Sequence, residues 1–263
     1  MAYSYKVIIP VRLASTRLPE KPLLLIGDKP LIQHVYESAT MSSARTVIIA
    51  TDSREIREVA EGFGAVVHMT SARHTSGTER LIEVVQQRGE DDEEIIVNLQ
   101  GDEFNMPPGF IDRVAGLLNS HPETGMATLC EPITDPEHFN DPHFVKVTFN
   151  TDQIALNFSR EPVPWPEAAP ALPGGVFGYG HIGMYAYRVW FLKRYSGLER
   201  CEREVKERLE QLRVLEHGLN IRVGIVPHSP GLGIDTPADL EAARKMWDQF
   251  AAKAADGSPA PLS

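Results

Sequence analysis

The sequence predicts an α/β protein with a doubly wound, mostly parallel sheet. Two observations carry this. Short apolar runs at 6–9, 46–50, 65–69 and 95–99 alternate with segments whose apolar residues recur at helical spacing. Several of these runs empty into polar turns, and open α/β sheets bind ligands outside the carboxyl ends of their strands. The length of 263 residues is enough for one large domain with a real core. The expected organisation is a single domain over 1–250, an inserted arm and lid at about 140–190, and a disordered tail over 251–263 that is poor in bulky side chains.

The first strand ends at Pro10, which cannot donate to a sheet ladder. A loop follows that carries Arg12, Ser15, Thr16, Arg17 and Lys21, three cations and two hydroxyls in one short stretch of an acidic chain. Arginine forks and a lysine point charge suit phosphate oxygens, and the loop lacks the glycines of a Walker motif. A helix is expected after Pro30, with Leu31, His34, Val35 and Ala39 on one face. Ser53 reads as the N-cap of a helix that Gly62 stops, and Ser76-Gly77-Thr78 as the start of another. The latter turn serves equally as a cap or as a base- or ribose-binding turn. Pro107-Pro108 opens a further helix, and 126–129 is a fifth strand.

From about Asp135 the pattern changes. Residues 143–149 and 153–159 read as a hairpin around Asn150-Thr151-Asp152. The Pro- and Gly-rich stretch 162–180 reads as a long loop, 181–187 as an alternating strand, and 189–195 as a helix. Residues 199–217 are expected to form one strong helix anchored by Leu209, Leu212 and Leu215. A strand at 221–226 and a last helix from Thr236-Pro237 to about Phe250 complete the chain.

The formal net charge of −10 argues against general nucleic-acid binding, which needs an excess of lysine and arginine. Cys130 and Cys201 lie far apart, outside any metal-ligand spacing or disulfide framework. The first strand begins almost at once, which leaves no room for a signal peptide, and no apolar run has membrane-spanning length. The expected compartment is the reducing cytoplasm.

Asp102 and Asp235 each follow a strand, so the fold can bring them together. Two carboxylates beside a phosphate-binding loop suit Mg²⁺, although each residue alone also reads as a turn former or helix cap. His181 and Tyr185 share a strand face, either lining a pocket with Tyr187 or as core residues. Glu210, Gln211 and Arg213 read equally as a solvated helix face.

These stretches resemble the 3-deoxy-manno-octulosonate (Kdo) cytidylyltransferases. The matching segments are IIPVRLASTRLPEKPL, ATD at 50–52, HTSGTERL at 74–81, VNLQGDE at 97–103, FSR at 158–160, HIGMYAYR at 181–188, LEQLRVLEHG at 209–218 and GIDTPADL at 233–240, in family order. The basic loop alone is shared with sialic acid cytidylyltransferases. The resemblance implies a nucleotide-diphospho-sugar-transferase-like fold with a small β-rich dimerisation arm, and a homodimer. It implies transfer of CMP from CTP to the anomeric hydroxyl of Kdo, with Mg²⁺, for lipopolysaccharide biosynthesis. By the same resemblance Arg12, Leu13, Ala14, Ser15, Arg17, Lys21, Ser76, Gly77 and Gln100 hold the nucleotide, and Asp102 and Asp235 the metal. Gln100, Arg160, His181, Tyr185, Glu210 and Gln211 would contact the sugar acid. The chain departs from the family pattern at Phe104, where proline is usual, at Asn157, in the segment after Trp165 and at Glu202-Arg203.

Overall fold

The apolar runs form buried strands and the periodic segments between them form helices. The computed structural model describes residues 3–14, 17–166, 169–229 and 231–255. Strands lie at Tyr5–Val11 (β1), Leu25–Ile26 (β2), Lys29–Pro30 (β3), Thr46–Thr51 (β4), Val66–Met69 (β5), Ile95–Asn98 (β6), Glu103–Phe104 (β7), Met126–Ile133 (β8), Lys146–Phe149 (β9), Ala155–Ser159 (β10), Gly178–Arg188 (β11), Arg222–Ile225 (β12) and Leu232–Gly233 (β13). Helices lie at Leu31–Thr40 (α1), Arg54–Gly62 (α2), Gly77–Arg88 (α3), Pro108–Ser120 (α4), Pro136–Asn140 (α5), Val189–Tyr195 (α6), Glu202–Glu207 (α7), Gln211–Glu216 (α8) and Pro237–Ala255 (α9).

Two compact bodies share the chain. The first comprises the described residues of Ala2–Glu90, Asn98–Asp112 and Pro230–Ser263. Its sheet is parallel, with β1 beside β4 and β4 beside β5, in registers such as Ile8↔Ile48 and Ile48↔Val66. Helices on a parallel sheet bury both faces of its central strands, so every residue of β1 is buried and Val7, Ile8 and Ile9 are 0–1% exposed. The helix starts follow the expected chemistry. Ser53 Oγ accepts the Ile56 N–H at 3.2 Å, and Ser76 Oγ accepts the Glu79 N–H at 3.2 Å. Gly89, at φ 62°, ends α3 in the left-handed conformation that glycine adopts without a Cβ penalty. Helix α9 continues past the expected end near Phe250 to Ala255; the remainder of the expected tail lies outside the described residues.

The second body comprises the described residues of Asp91–Val97 and Arg113–Ser229. β9 and β10 form the expected antiparallel hairpin, and Asn150 Oδ1 shapes its turn by accepting the Asp152 and Ile154 N–H groups at 3.0 and 2.9 Å. β11 is longer than the sequence pattern indicated. It pairs antiparallel with β8 from Gly178↔Ile133 to Tyr187↔Met126 and with β9 at Tyr179 and Gly180, while β12 joins β8 in parallel. The expected helix over 199–217 is two helices. Arg208 sits in the left-handed region at φ 55° and breaks it, so that Arg213 of α8 folds back on Glu204 of α7 in a buried ion pair, with Nε 2.8 Å from Oε2. Helical periodicity does not register a single left-handed residue.

A β-bulge between Ile182 and Tyr185 shifts the register of β11 against β8. His181 lies there with its ring 5.0 Å from Phe158 and 5.3 Å from Tyr185. Thr128 gives its hydroxyl proton to the carbonyls of Ile182 and Met184, so its oxygen accepts Nε2–H of His181 at 2.9 Å. Desolvation lowers the His181 imidazole to about 3, so it is neutral and its Nδ1 is an acceptor. An unfolded chain protonates this group near 6.5. Its contribution to stability is therefore complete above about 6.5 and is lost as pH falls from there toward 3, by up to about 1.4 kcal/mol per pH unit. Urea unfolding between pH 7 and 5 should show a shallower pH dependence for His181→Gln than for the unaltered chain; identical slopes would contradict the assignment.

Candidate functional site

The cationic loop, the turn after β6 and the start of α9 meet in the first body. Leu99 N–H donates to the Ile8 carbonyl at 3.2 Å, which holds Gln100-Gly101-Asp102 beside the end of β1. The approach is close enough that any side chain at Gly101 or Gly77 would press on the end of β1. A Cβ on Gly101 would lie 3.0 Å from Val11 Cβ and 3.2 Å from the Pro10 carbonyl oxygen, and one on Gly77 would lie 3.1 Å from Pro10 Cγ. Past Asp102, β7 pairs antiparallel with β13, Glu103 opposite Gly233, and Ile234 N–H donates to the Asp102 carbonyl at 3.0 Å. That pairing sets Asp235 next to Asp102. Immediately afterwards Thr236 and Asp239 form a reciprocal cap at the start of α9: Asp239 Oδ2 accepts the Thr236 N–H at 2.8 Å, and Thr236 Oγ1 accepts the Asp239 N–H at 3.2 Å.

Lys21 joins the two acids. Its Nζ lies 2.6 Å from Asp102 Oδ2 and 3.1 Å from Asp235 Oδ1, and Arg17 reaches the same Asp235 oxygen at 3.0 Å. Burial pulls the Lys21 ammonium down, but Asp102 and Asp235 together outweigh it, so its pKa is raised and the group stays charged. Glu103, one residue along, is pushed up to about 7 by desolvation and by the charges of Asp102 and Asp235. The donors of the Asp102–Asp235 pair are hard carboxylate oxygens on side chains 35% and 48% exposed, open enough for water and phosphate to complete a shell. That donor set fits Mg²⁺, which takes one or two carboxylates together with substrate phosphates.

Around this cluster lies a cleft of about 300 Å³ lined by Arg12, Ala14, Arg17, Lys21, Ser76, Gly77, Gln100, Asp102 and Asp235 among others. Nearly all the residues expected at the nucleotide thus line one cleft. Leu13 is not among the lining residues, and Ser15 lies outside the described ones. Arg80 and His74 line the cleft as well, and neither was expected at the nucleotide. Arg80 is 3% exposed, hydrogen-bonded to the Thr70 hydroxyl and 3.5 Å from Asp52 Oδ2. Its signal was a charge on the apolar face of α3, in line with Leu81 and Val84. His74 lines the cleft with its Nε2 on the Glu83 carboxylate.

The residues expected to contact the sugar acid, Gln100 apart, belong to the second body. His181 and Tyr185 stand ring against ring on β11. Burial raises the Tyr185 phenol well above its ordinary value, with Tyr187 and then the Glu210 carboxylate adding to it. Gln211 is 3% exposed and its Nε2 is buried without a hydrogen-bond partner. Its place in the core departs from the solvated face that the sequence left open. Arg160 spends two of its donors on backbone carbonyls, Nε on Glu207 at 2.8 Å and an Nη on Pro142 at 3.1 Å.

Residues 6–221 match the cytidylyltransferase family model. The 3-deoxy-manno-octulosonate cytidylyltransferase of Thioalkalivibrio sulfidiphilus is 47% identical over 249 residues, covering 92% of this chain and 98% of that one. The protein of the same name from Pseudomonas fluorescens is 48% identical over 251 residues, covering 94% and 99%. A solved CMP:2-keto-3-deoxy-manno-octonic acid synthetase, complexed with CTP, superposes with a TM-score of 0.85 at 40% identity over 94% of this chain and 99% of its own. A cytidylyltransferase from Leptospira borgpetersenii, at 19% identity and a TM-score of 0.61, covers 94% of this chain and 87% of its own and shares the fold. The chain belongs to the cytidylyltransferase family and groups within it with the 3-deoxy-manno-octulosonate cytidylyltransferases.

Proposed function

We propose that the chain transfers CMP from CTP to the anomeric hydroxyl of Kdo and releases pyrophosphate. The observation that carries the reading is the convergence of Asp102 and Asp235 on Lys21 inside a cationic cleft. The names and near-half identity of the relatives select the sugar. Arg12, Arg17 and Lys21 bind the triphosphate, and the Ser76-Gly77 turn and Gln100 face the nucleoside. The anomeric oxygen forms a bond to the α-phosphorus, the bond to the α–β bridging oxygen breaks, pyrophosphate leaves, and the hydroxyl proton passes to solvent. The cations offset the charge that spreads over the phosphate oxygens in the transition state, the main demand of this chemistry. Asp102 and Asp235 would hold Mg²⁺, which when bound neutralises phosphate oxygens and acidifies the attacking hydroxyl.

Arg160, His181, Tyr185, Glu210 and Gln211 are proposed contacts of the sugar acid. The unpartnered amide of Gln211 and the neutral acceptor nitrogen of His181 suit a polyhydroxylated ligand. A homodimer is proposed through the hairpin body, whose exposed Phe144, Leu156 and Phe177 are the apolar surface such contact would cover. Among the described residues no helix is long and apolar enough to cross a membrane. Free CTP is a cytoplasmic metabolite, which supports the cytoplasm as the site of reaction.

Pyrophosphate release on mixing the protein with CTP, Mg²⁺ and Kdo tests the reading. Release is expected with Kdo, and release with sialic acid but not with Kdo would replace it. Asp102→Asn should lower turnover by at least about 100-fold, as loss of a transition-state charge partner does, with little change in melting temperature. Near-normal turnover of that variant at ordinary Mg²⁺ would remove the metal assignment.

A further inference from the structure

We propose that Lys21 is a resident counter-cation that closes the Asp102–Asp235 pair to a free divalent ion and releases it when a triphosphate draws the ammonium away. The inference rests on the metal role given to the pair above and adds an order of events to it. One ammonium sits between the two carboxylates, 2.6 Å from one and 3.1 Å from the other, and its side chain is only 12% exposed. Arg17 adds a second positive charge on Asp235 Oδ1 at 3.0 Å. Two carboxylates and two cations make this cluster neutral.

A Mg²⁺ ion that took both acids would need oxygen contacts of about 2.0–2.1 Å. It cannot share that position with an ammonium already bonded to both. Ligation of the pair thus has to displace Lys21, and the displaced ammonium needs a new anionic partner. A triphosphate in the same cleft is that partner, and a lysine on its flexible stem exchanges between carboxylate and phosphate without movement of the backbone. Metal therefore enters with the nucleotide or after it, not before. The energetic driver is exchange of ion pairs in a partly enclosed site, where each is worth more than at the open surface. Lys21 thus has two successive partners. Its contact with the acids and its contact with phosphate are two positions of one side chain.

The test measures metal affinity without nucleotide and is independent of turnover. The full chain is titrated with Mn²⁺ in the absence of CTP, and free Mn²⁺ is read by electron paramagnetic resonance. Removing the ammonium in Lys21→Met should tighten Mn²⁺ binding by at least about tenfold, although the same variant uses CTP poorly. Adding Asp235→Asn to that chain should cancel the gain. Circular dichroism checks the fold; Lys21→Gln is the alternative variant, and Arg17→Met, with its exposed side chain, should give a smaller gain of the same sign. Mn²⁺ affinity unchanged or weakened on loss of the Lys21 charge would overturn the proposal. Failure of the unaltered chain to release pyrophosphate would count against the function above and leave the Mn²⁺ comparison interpretable.

Discussion

The pairing of β7 with β13 is the constraint on which the site depends. Two residues from each segment pair antiparallel, and Ile234 N–H closes the contact on the Asp102 carbonyl. Through this short ladder, two carboxylates far apart in the sequence come to share one lysine. The Thr236–Asp239 cap then fixes where α9 begins. Burial raises Asp239, but hydrogen bonds from the Asp235 and Thr236 N–H groups and the Thr236 hydroxyl outweigh it and hold its pKa low, so the cap keeps its negative charge at the helix N-terminus.

A row of rings backs the ladder. Phe104 of β7 packs edge-on to His34 at 5.3 Å, and His34 packs on Trp247 of α9 at 4.6 Å. His34 gives its Nε2–H to the Ile26 carbonyl at 2.8 Å, and Arg244 of α9 bonds the Leu25 carbonyl at 3.0 Å. The short β2–β3 hairpin that follows Lys21 is thus tied to the helix that follows Asp235. Phe104, the position where the resembled family carries proline, is 2% exposed and supplies the first ring of this row. The departure is accommodated by packing and leaves the carboxylates in place.

Much of this was legible in the residues. Buried parallel strands announce themselves as continuous apolar runs, and Ser53 and Ser76 mark helix starts because their hydroxyls satisfy otherwise unpaired N–H groups. The loop from Arg12 to Lys21 was readable because its charge opposes the composition of the whole chain. What escaped was non-local or too short to have a period. The strands of the β7–β13 ladder are two residues each, below any alternation signal. Arg80 is an arginine within a buried helical face, and its value lies in what stands across from it. The backbone partners of Arg160 are set by where the chain around Pro142 and Glu207 passes, which no spacing rule contains.

The break at Arg208 has a consequence for dynamics. It leaves α7 and α8 at six residues each, far below the length at which a helix persists by itself. Their order relies on tertiary ties: the Glu204–Arg213 pair, the Arg213 guanidinium lying 4.7 Å over the Tyr195 ring, and Leu209 and Leu212 in the core. Arg203 adds bonds to Glu216 and Asn157, and Arg160 bonds the Glu207 carbonyl, so the two short helices hold or open together with these contacts. Glu210 and Gln211 ride on that segment, so their positions rest on these contacts and not on helix propensity.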